Sequence, residues 1–260
     1  MNWYILVPVC LSAGALIGFT GGLLGIGGGL IAIPLLGLLL GMDQALAQGT
    51  ALIMVLPAIL LSVRHYNRRS KIDKRAALSG ALSTVAFTWL GARLALAMDA
   101  GLLRMIYAVF VVGMSLYYFY QSYVLRHRLS VPRLDASVKA TVYTRYRYLA
   151  LGALAGTFGG VFGVGGSVLI VPVLVARMGY SQTQAQALAL SMVIPGTVVA
   201  LGTYSWHGQA DWLVGIPLAL GSIALVPYGV RLAFACSESR LRLAFACMLL
   251  LMVPLLLLSV

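Results

Sequence analysis

Ten apolar segments separated by short polar breaks leave this chain only one solvent for most of its surface. They fall near residues 3–24, 25–41, 45–63, 76–98, 101–124, 148–162, 165–179, 183–205, 212–235 and 241–260. Several have the roughly 20 residues that a membrane-spanning helix needs. Only 9% of the 260 residues are charged, against roughly 25% in a soluble domain, which excludes an ordinary soluble enzyme. The net charge of +12 is no nucleic-acid footprint, because the basic residues punctuate apolar runs and form no face. The chain reads as an all-α polytopic membrane protein whose first partner is the lipid bilayer. No cleavable leader is expected, since Met1-Asn2-Trp3-Tyr4 has no basic residue and the first charge is Asp43.

The chain is also duplicated. A shift of 138 places Gly14-Ala15-Leu16 on Gly152-Ala153-Leu154, Gly21-Gly22 on Gly159-Gly160 and Gly27-Gly28 on Gly165-Gly166. It then matches Pro34 with Pro172, Gln48 with Gln186 and Pro57 with Pro195, with 20 identities in the 44 ungapped positions from 14 to 57. The same shift pairs Tyr66 with Tyr204, Asp73 with Asp211 and Arg93 with Arg231. Apolar bias can match leucines by chance, but not glycines, prolines and glutamines in one register. The units are residues 1–124 and 148–260, joined by a basic linker at 125–147.

Charge placement orients them. If each repeat had four simple spans, the 18 Lys and Arg would divide 12 to 6 across the membrane. If each glycine-broken segment instead enters and returns on one side, the division is 16 to 2, with only Arg93 and Arg104 outside. The positive-inside bias favours the second arrangement. Each repeat is then a glycine-broken re-entrant helix pair plus three spanning helices, and the repeats are inverted. The linker is cytoplasmic and both termini are periplasmic.

The glycine clusters carry the chemistry. Gly25, Gly27, Gly28 and Gly29 recur as Gly163, Gly165, Gly166 and Ser167. Glycine at this density breaks a helix and lets backbone N–H groups approach a ligand. A helix that restarts after the break aims its positive end at whatever lies there, which suits an anion. Interrupted segments at matching places in two halves point to a transporter's midplane site, though small residues also serve close helix packing. Gln48 and Gln186 can donate to a ligand without adding charge, or bond a neighbouring helix. Thr50 and Ser191 lie about a turn away and are secondary candidates. Arg93 and Arg231 stand near span ends, where snorkelling to the interface competes with contact to an anion.

Other chemistry finds little support. No Asp or Glu falls mid-segment, so none is placed to relay protons or hold Na⁺. Asp73 and Asp211 read as helix caps. His65, His127 and His207 lack metal-ligand spacing, and Cys10, Cys236 and Cys247 are scattered in apolar stretches without a C-x-x-C. No metal, cofactor or disulfide is expected. An intramembrane enzyme would need a nucleophile and base at depth, and Ser167 matches Gly29, which indicates a need for a small residue.

At these residues the chain resembles a known family. The doubled G-x-x-G-G-x-x-G-x-G-G-[GS]-x-x-x-x-P pattern, Gly41 and Gly179, Ala-Gln before a span, Asp73 and Asp211, and Gly91-Ala92-Arg93 are similar to the TauE/SafE sulfite exporters of bacterial inner membranes. The resemblance covers nearly the whole chain. It implies a secondary transporter, not an enzyme, that exports a small sulfur-containing anion such as sulfite or a sulfonate by alternating access. An anion channel is the alternative within transport. A homodimer is compatible with either, and no nucleic-acid partner is expected.

Overall fold

The computed structural model of the protein describes residues 3–70, 72–127 and 145–258. Most of the expected linker, 128–144, lies outside the described residues. The rest is helical: α1 (Trp3–Leu24), α2 (Gly29–Leu40), α3 (Gln44–Arg69), α4 (Lys74–Leu96) and α5 (Ala100–His127), then α6 (Arg145–Phe162), α7 (Ser167–Met178), α8 (Gln182–Trp206), α9 (Trp212–Ala235) and α10 (Glu238–Leu258). Five of them, α1, α3, α5, α8 and α9, are long and apolar enough to cross a membrane.

Local sequence sets the boundaries. Asp43, Asp73 and Asp211 accept hydrogen bonds from the first free amides of α3, α4 and α9, the capping role read for Asp73 and Asp211. Ser181 and Gln184 cap α8 reciprocally. Gly41 and Gly179 end α2 and α7 in the left-handed region, at φ 63 and 65°. The two legs of each broken pair are unequal, because α1 is a continuous helix of 22 residues while α2 has 12.

The repeats interlock instead of standing side by side. Gly14, Gly18 and Gly22 of α1 lie against the backbone of Leu218, Ser222 and Val226, so α1 and α9 run in the same direction. Gly152, Gly156 and Gly160 of α6 meet Gly80, Thr84 and Thr88 of α4 in the same way. Small residues at every fourth position let the backbones touch, as in other membrane helix pairs. At the centre the equivalent helices α3 and α8 cross antiparallel. Tyr66 late in α3 bonds Gln186 early in α8, and Tyr204 late in α8 bonds Gln48 early in α3.

These directions gather charge at one end of the bundle. α3 runs with α9, from Thr50 beside Asp211 to Tyr66 beside Phe234. Arg64, Arg68, Arg69, Lys74 and Arg75 therefore share an end with the α9–α10 turn and with the start of α6. Arg93 and Arg104 flank the α4–α5 turn at the other end, where α1 also begins.

Candidate functional site

The two breaks meet at mid-height. Gly27 and Gly29 sit against Val55, the middle of α3, and Gly165 faces Val193 and Thr197 near the middle of α8. Gly29 lies beside the carbonyl of Gly163 and the Cα of Val164, so one break touches the other. From there α2 and α7 lead away toward Gly41 and Gly179, with their N-termini at the centre.

The glycines divide the work that sequence reading left open. Gly22 and Gly160 belong to the helix-packing stripes, where a Cβ would meet the neighbouring backbone. Gly25, Gly27, Gly28, Gly163, Gly165 and Gly166 have φ between 65 and 88°, a region that costs an L side chain about 1–2 kcal/mol. The packing reading describes Gly22 and Gly160, and the left-handed glycines make the breaks in the chain. Ser167 fits where Gly29 stands in the other repeat, and its Oγ is buried without a hydrogen-bond partner.

Hydrogen bonding at the breaks is one-sided. The carbonyls that end α1 are taken, because Gly21 O accepts from Gly25 and Ile26, Gly22 O from Tyr66 Oη at 2.9 Å, and Leu24 O from Gln186 Nε2 at 2.8 Å. In α6 the carbonyl of Gly159 accepts from Gly163, and those of Gly160 and Val161 from Tyr204 Oη. Among the described residues, the amides of Gly27, Gly28, Gly29 and Leu30, and those of Gly165, Gly166, Ser167 and Val168, form no turn or cap hydrogen bond to a backbone carbonyl. All eight residues are buried. Buried amides are nearly always paired, and each set is the unfilled first turn of a helix that begins at the centre.

The glutamines are unequal. Gln186 is satisfied at both ends, its Oε1 accepting from Tyr66 Oη and its Nε2 donating to Leu24 O. Gln48 accepts from Tyr204 Oη at 2.8 Å through Oε1, but its Nε2 is buried and bonds to nothing. It lies against Gly163 and adds one more donor beside the second break. Sequence reading missed Tyr66 and Tyr204 as the residues that hold the glutamines and close the helix ends. The signal was present, since both are tyrosines in one register within apolar helices.

The secondary candidates lie elsewhere. Thr50 Oγ1 accepts from the Asp211 amide and ties α3 to the start of α9. Ser191 donates to Ala187 O in its own helix. Arg93 and Arg231 are exposed at span ends, over the rings of Trp89 and Tyr228. The three cysteines are free, and no group of His, Cys, Asp or Glu among the described residues has metal-binding geometry.

A helical bundle with five helices long and apolar enough to cross a membrane is that of a multi-pass membrane protein. The comparisons give the family. The chain belongs to the sulfite exporter TauE/SafE family, whose profile matches residues 10–255. It is 26% identical over 235 residues to a probable membrane transporter protein of Xylella fastidiosa, covering 89% of this chain and 87% of the relative. The probable membrane transporter protein MJ0441 of Methanocaldococcus jannaschii is 22% identical, covering 91% and 88% of the two chains. The probable membrane transporter protein YunE of Bacillus subtilis is 23% identical, covering 85% of each. No solved structure matches the chain.

Proposed function

We propose that the protein is a secondary transporter that moves a small sulfur-containing anion, sulfite or a sulfonate, out across the inner membrane. The observation that carries this reading is the two unfilled first turns, buried at mid-height, of the helices that begin there. A helix N-terminus favours negative charge, and at membrane depth an unfilled donor is costly. The binding residues are Gly25, Gly27, Gly28, Gly29 and Gln48 with Gly163, Gly165, Gly166, Ser167 and Gln186. Gln48 Nε2 and Ser167 Oγ contact the anion, while Gln186 keeps its carbonyl occupied and its break in place.

The transport cycle is alternating access between inverted repeats, each a re-entrant pair and three spans. The antiparallel crossing of α3 and α8 supports the inversion, and the gathering of basic residues at one end supports placing that end in the cytoplasm. An anion leaving a negative interior gains about 2.3 kcal/mol per charge per 100 mV, so export needs no coupling carboxylate. The test is flux in proteoliposomes against sulfite, sulfate, simple sulfonates and chloride. Saturable counterflow of one sulfur anion, lost in Gly166→Val, supports the carrier. Voltage-driven unitary currents would make it a channel, and no flux of any anion by a folded protein would reject the reading.

A further inference from the structure

At the basic end, a cavity of about 160 Å³ opens between the last turns of α3 and α9, lined by His65, Arg68, Arg69, Val230, Arg231 and Phe234. Among the described residues none of its cationic side chains pairs with a carboxylate. Aromatic rings hold two of them instead: Arg69 lies over Phe234 at 5.4 Å and Arg231 over Tyr228 at 5.7 Å. A guanidinium stacked on a ring keeps its edge N–H donors free, and that edge matches an oxyanion in two-point contact. His65 faces Leu61 O through Nδ1 at 2.9 Å, so Nδ1 carries a proton and Nε2 is left for the cavity.

The duplication does not account for this cluster. The shift of 138 converts His65, Arg68 and Arg69 into Thr203, Trp206 and His207, and Phe234 corresponds to Leu96. Only the Arg231 and Arg93 pair is common to both ends. A merely snorkelling arginine would need no companions, whereas here three cationic groups and a histidine surround one space.

We infer that this cavity is a second oxyanion site, distinct from the broken-helix site, that takes a doubly charged tetrahedral group, either free in solution or as a lipid phosphate. It is one aromatic pair away from the first break. Phe234 packs on Tyr66 with ring centroids 5.5 Å apart, and the Tyr66 hydroxyl donates to Gly22 O and to Gln186.

The test uses the full-length protein purified in detergent at low ionic strength. Inorganic sulfate and phosphate are titrated by calorimetry, and phosphatidic acid is offered in nanodiscs with phosphatidylcholine nanodiscs as the blank. Sulfate or phosphate should bind, and Arg69→Gln with Arg231→Gln should weaken binding at least tenfold. Arg69→Lys with Arg231→Lys should recover part of it, which separates lost charge from misfolding. Arg93→Gln, at the other end, should leave the affinity unchanged, and Gln48→Leu should leave it unchanged too, which separates this site from the transport site. Binding of phosphatidic acid alone, with the same arginine dependence, assigns the site to a lipid headgroup. Equal affinity in wild type and the Arg→Gln pair, equal loss in Arg93→Gln, or binding of neither class would overturn the inference.

Discussion

The same substitution at two repeat-equivalent positions, Gln48→Leu and Gln186→Leu, should give opposite results. In Gln186→Leu the Leu24 carbonyl loses its donor at 2.8 Å and is left buried. An unsatisfied buried group costs about 1–3 kcal/mol. Tyr66 also loses its bond to Oε1 but keeps Gly22 O, which adds about 0.5–1.5 kcal/mol. The sum is a destabilisation on the order of 2–4 kcal/mol. In Gln48→Leu the lost Tyr204 bond costs a similar amount, with Gly160 O still available to that hydroxyl. Against it, the change removes an amide donor that the protein leaves unpaired, so the net change in stability should be near zero.

Anion binding reverses the order. If Gln48 Nε2 donates to the anion, its loss removes a hydrogen bond to a charged group, about 1.5–3 kcal/mol, or roughly 10- to 150-fold in affinity. Thermal unfolding in detergent reads the first quantity, and titration with the transported anion reads the second. Gln186→Leu should unfold early, and Gln48→Leu should unfold near wild type but bind weakly. A Gln48→Leu protein that binds normally, or unfolds as early as Gln186→Leu, would refute the assignment of that free donor to the anion.

Four further outcomes are expected. In a cysteine-free background, single cysteines at Ser70 and His207 should label from opposite sides of the membrane; labelling from one side would leave a parallel duplication. Flux should follow a valinomycin-clamped potential more than an imposed proton gradient, and the reverse would reveal a proton-coupling group outside the proposed binding residues. Gly27→Ala should destabilise more than Gly165→Ala, since a Cβ on Gly27 would stand 2.5 Å from Ile59 whereas on Gly165 the nearest atom is Thr197 Oγ1 at 3.5 Å. Unfolding midpoints separate the two, with about 1–2 kcal/mol of left-handed strain common to both and about 1–3 kcal/mol of overpacking for Gly27 alone. Finally, Thr197→Ile, which copies Ile59 of the first repeat, should slow transport without lowering the unfolding midpoint, as read by flux and scanning calorimetry.

Much of this architecture was legible because the bilayer allows few solutions. Apolar runs, caps at Asp73 and Asp211, and glycine punctuation at 25–29 and 163–167 are local signals, and each marks an element boundary within a few residues. The interlocking of the repeats was not legible. Nothing in periodicity says that α1 packs on α9 and not on α4, because lipid-facing and helix-facing positions are equally apolar and only contact with a partner tells them apart. The glycines at 14, 18 and 22 did announce a close partner, without naming it. Around the breaks, the glycines and both glutamines stand out from the duplication, but their inequality does not. Gln48 and Gln186 are the same residue in the same motif. They differ because Leu24 O stands within reach of one amide and no carbonyl stands within reach of the other.

That inequality extends beyond the glutamines and bears on how a symmetric frame can work in one direction. Beside the second break a cavity of about 10 Å³, close to one water, is lined by Thr84, Thr88, Thr197 and small residues. The first break has Ile59 where the second has Thr197, Ile17 where it has Ala155, and Val226 where it has Thr88, and Ile59 and Ile17 crowd Gly27 and Gly28 directly. The first break is crowded by branched side chains at Gly27 and Gly28 and the second by the Ala155 backbone at Gly166, with slack only beside Gly165 and with the unpaired donors of Gln48 and Ser167. Packed interiors respond to a ligand by switching between discrete arrangements, and slack is where the lower-cost arrangement lies. Movement should therefore begin at the second break, with the first serving as the fixed wall. The basic cluster lies on the first-break side, joined to it through Phe234 and Tyr66, so an oxyanion held there would rest on the half expected to move least.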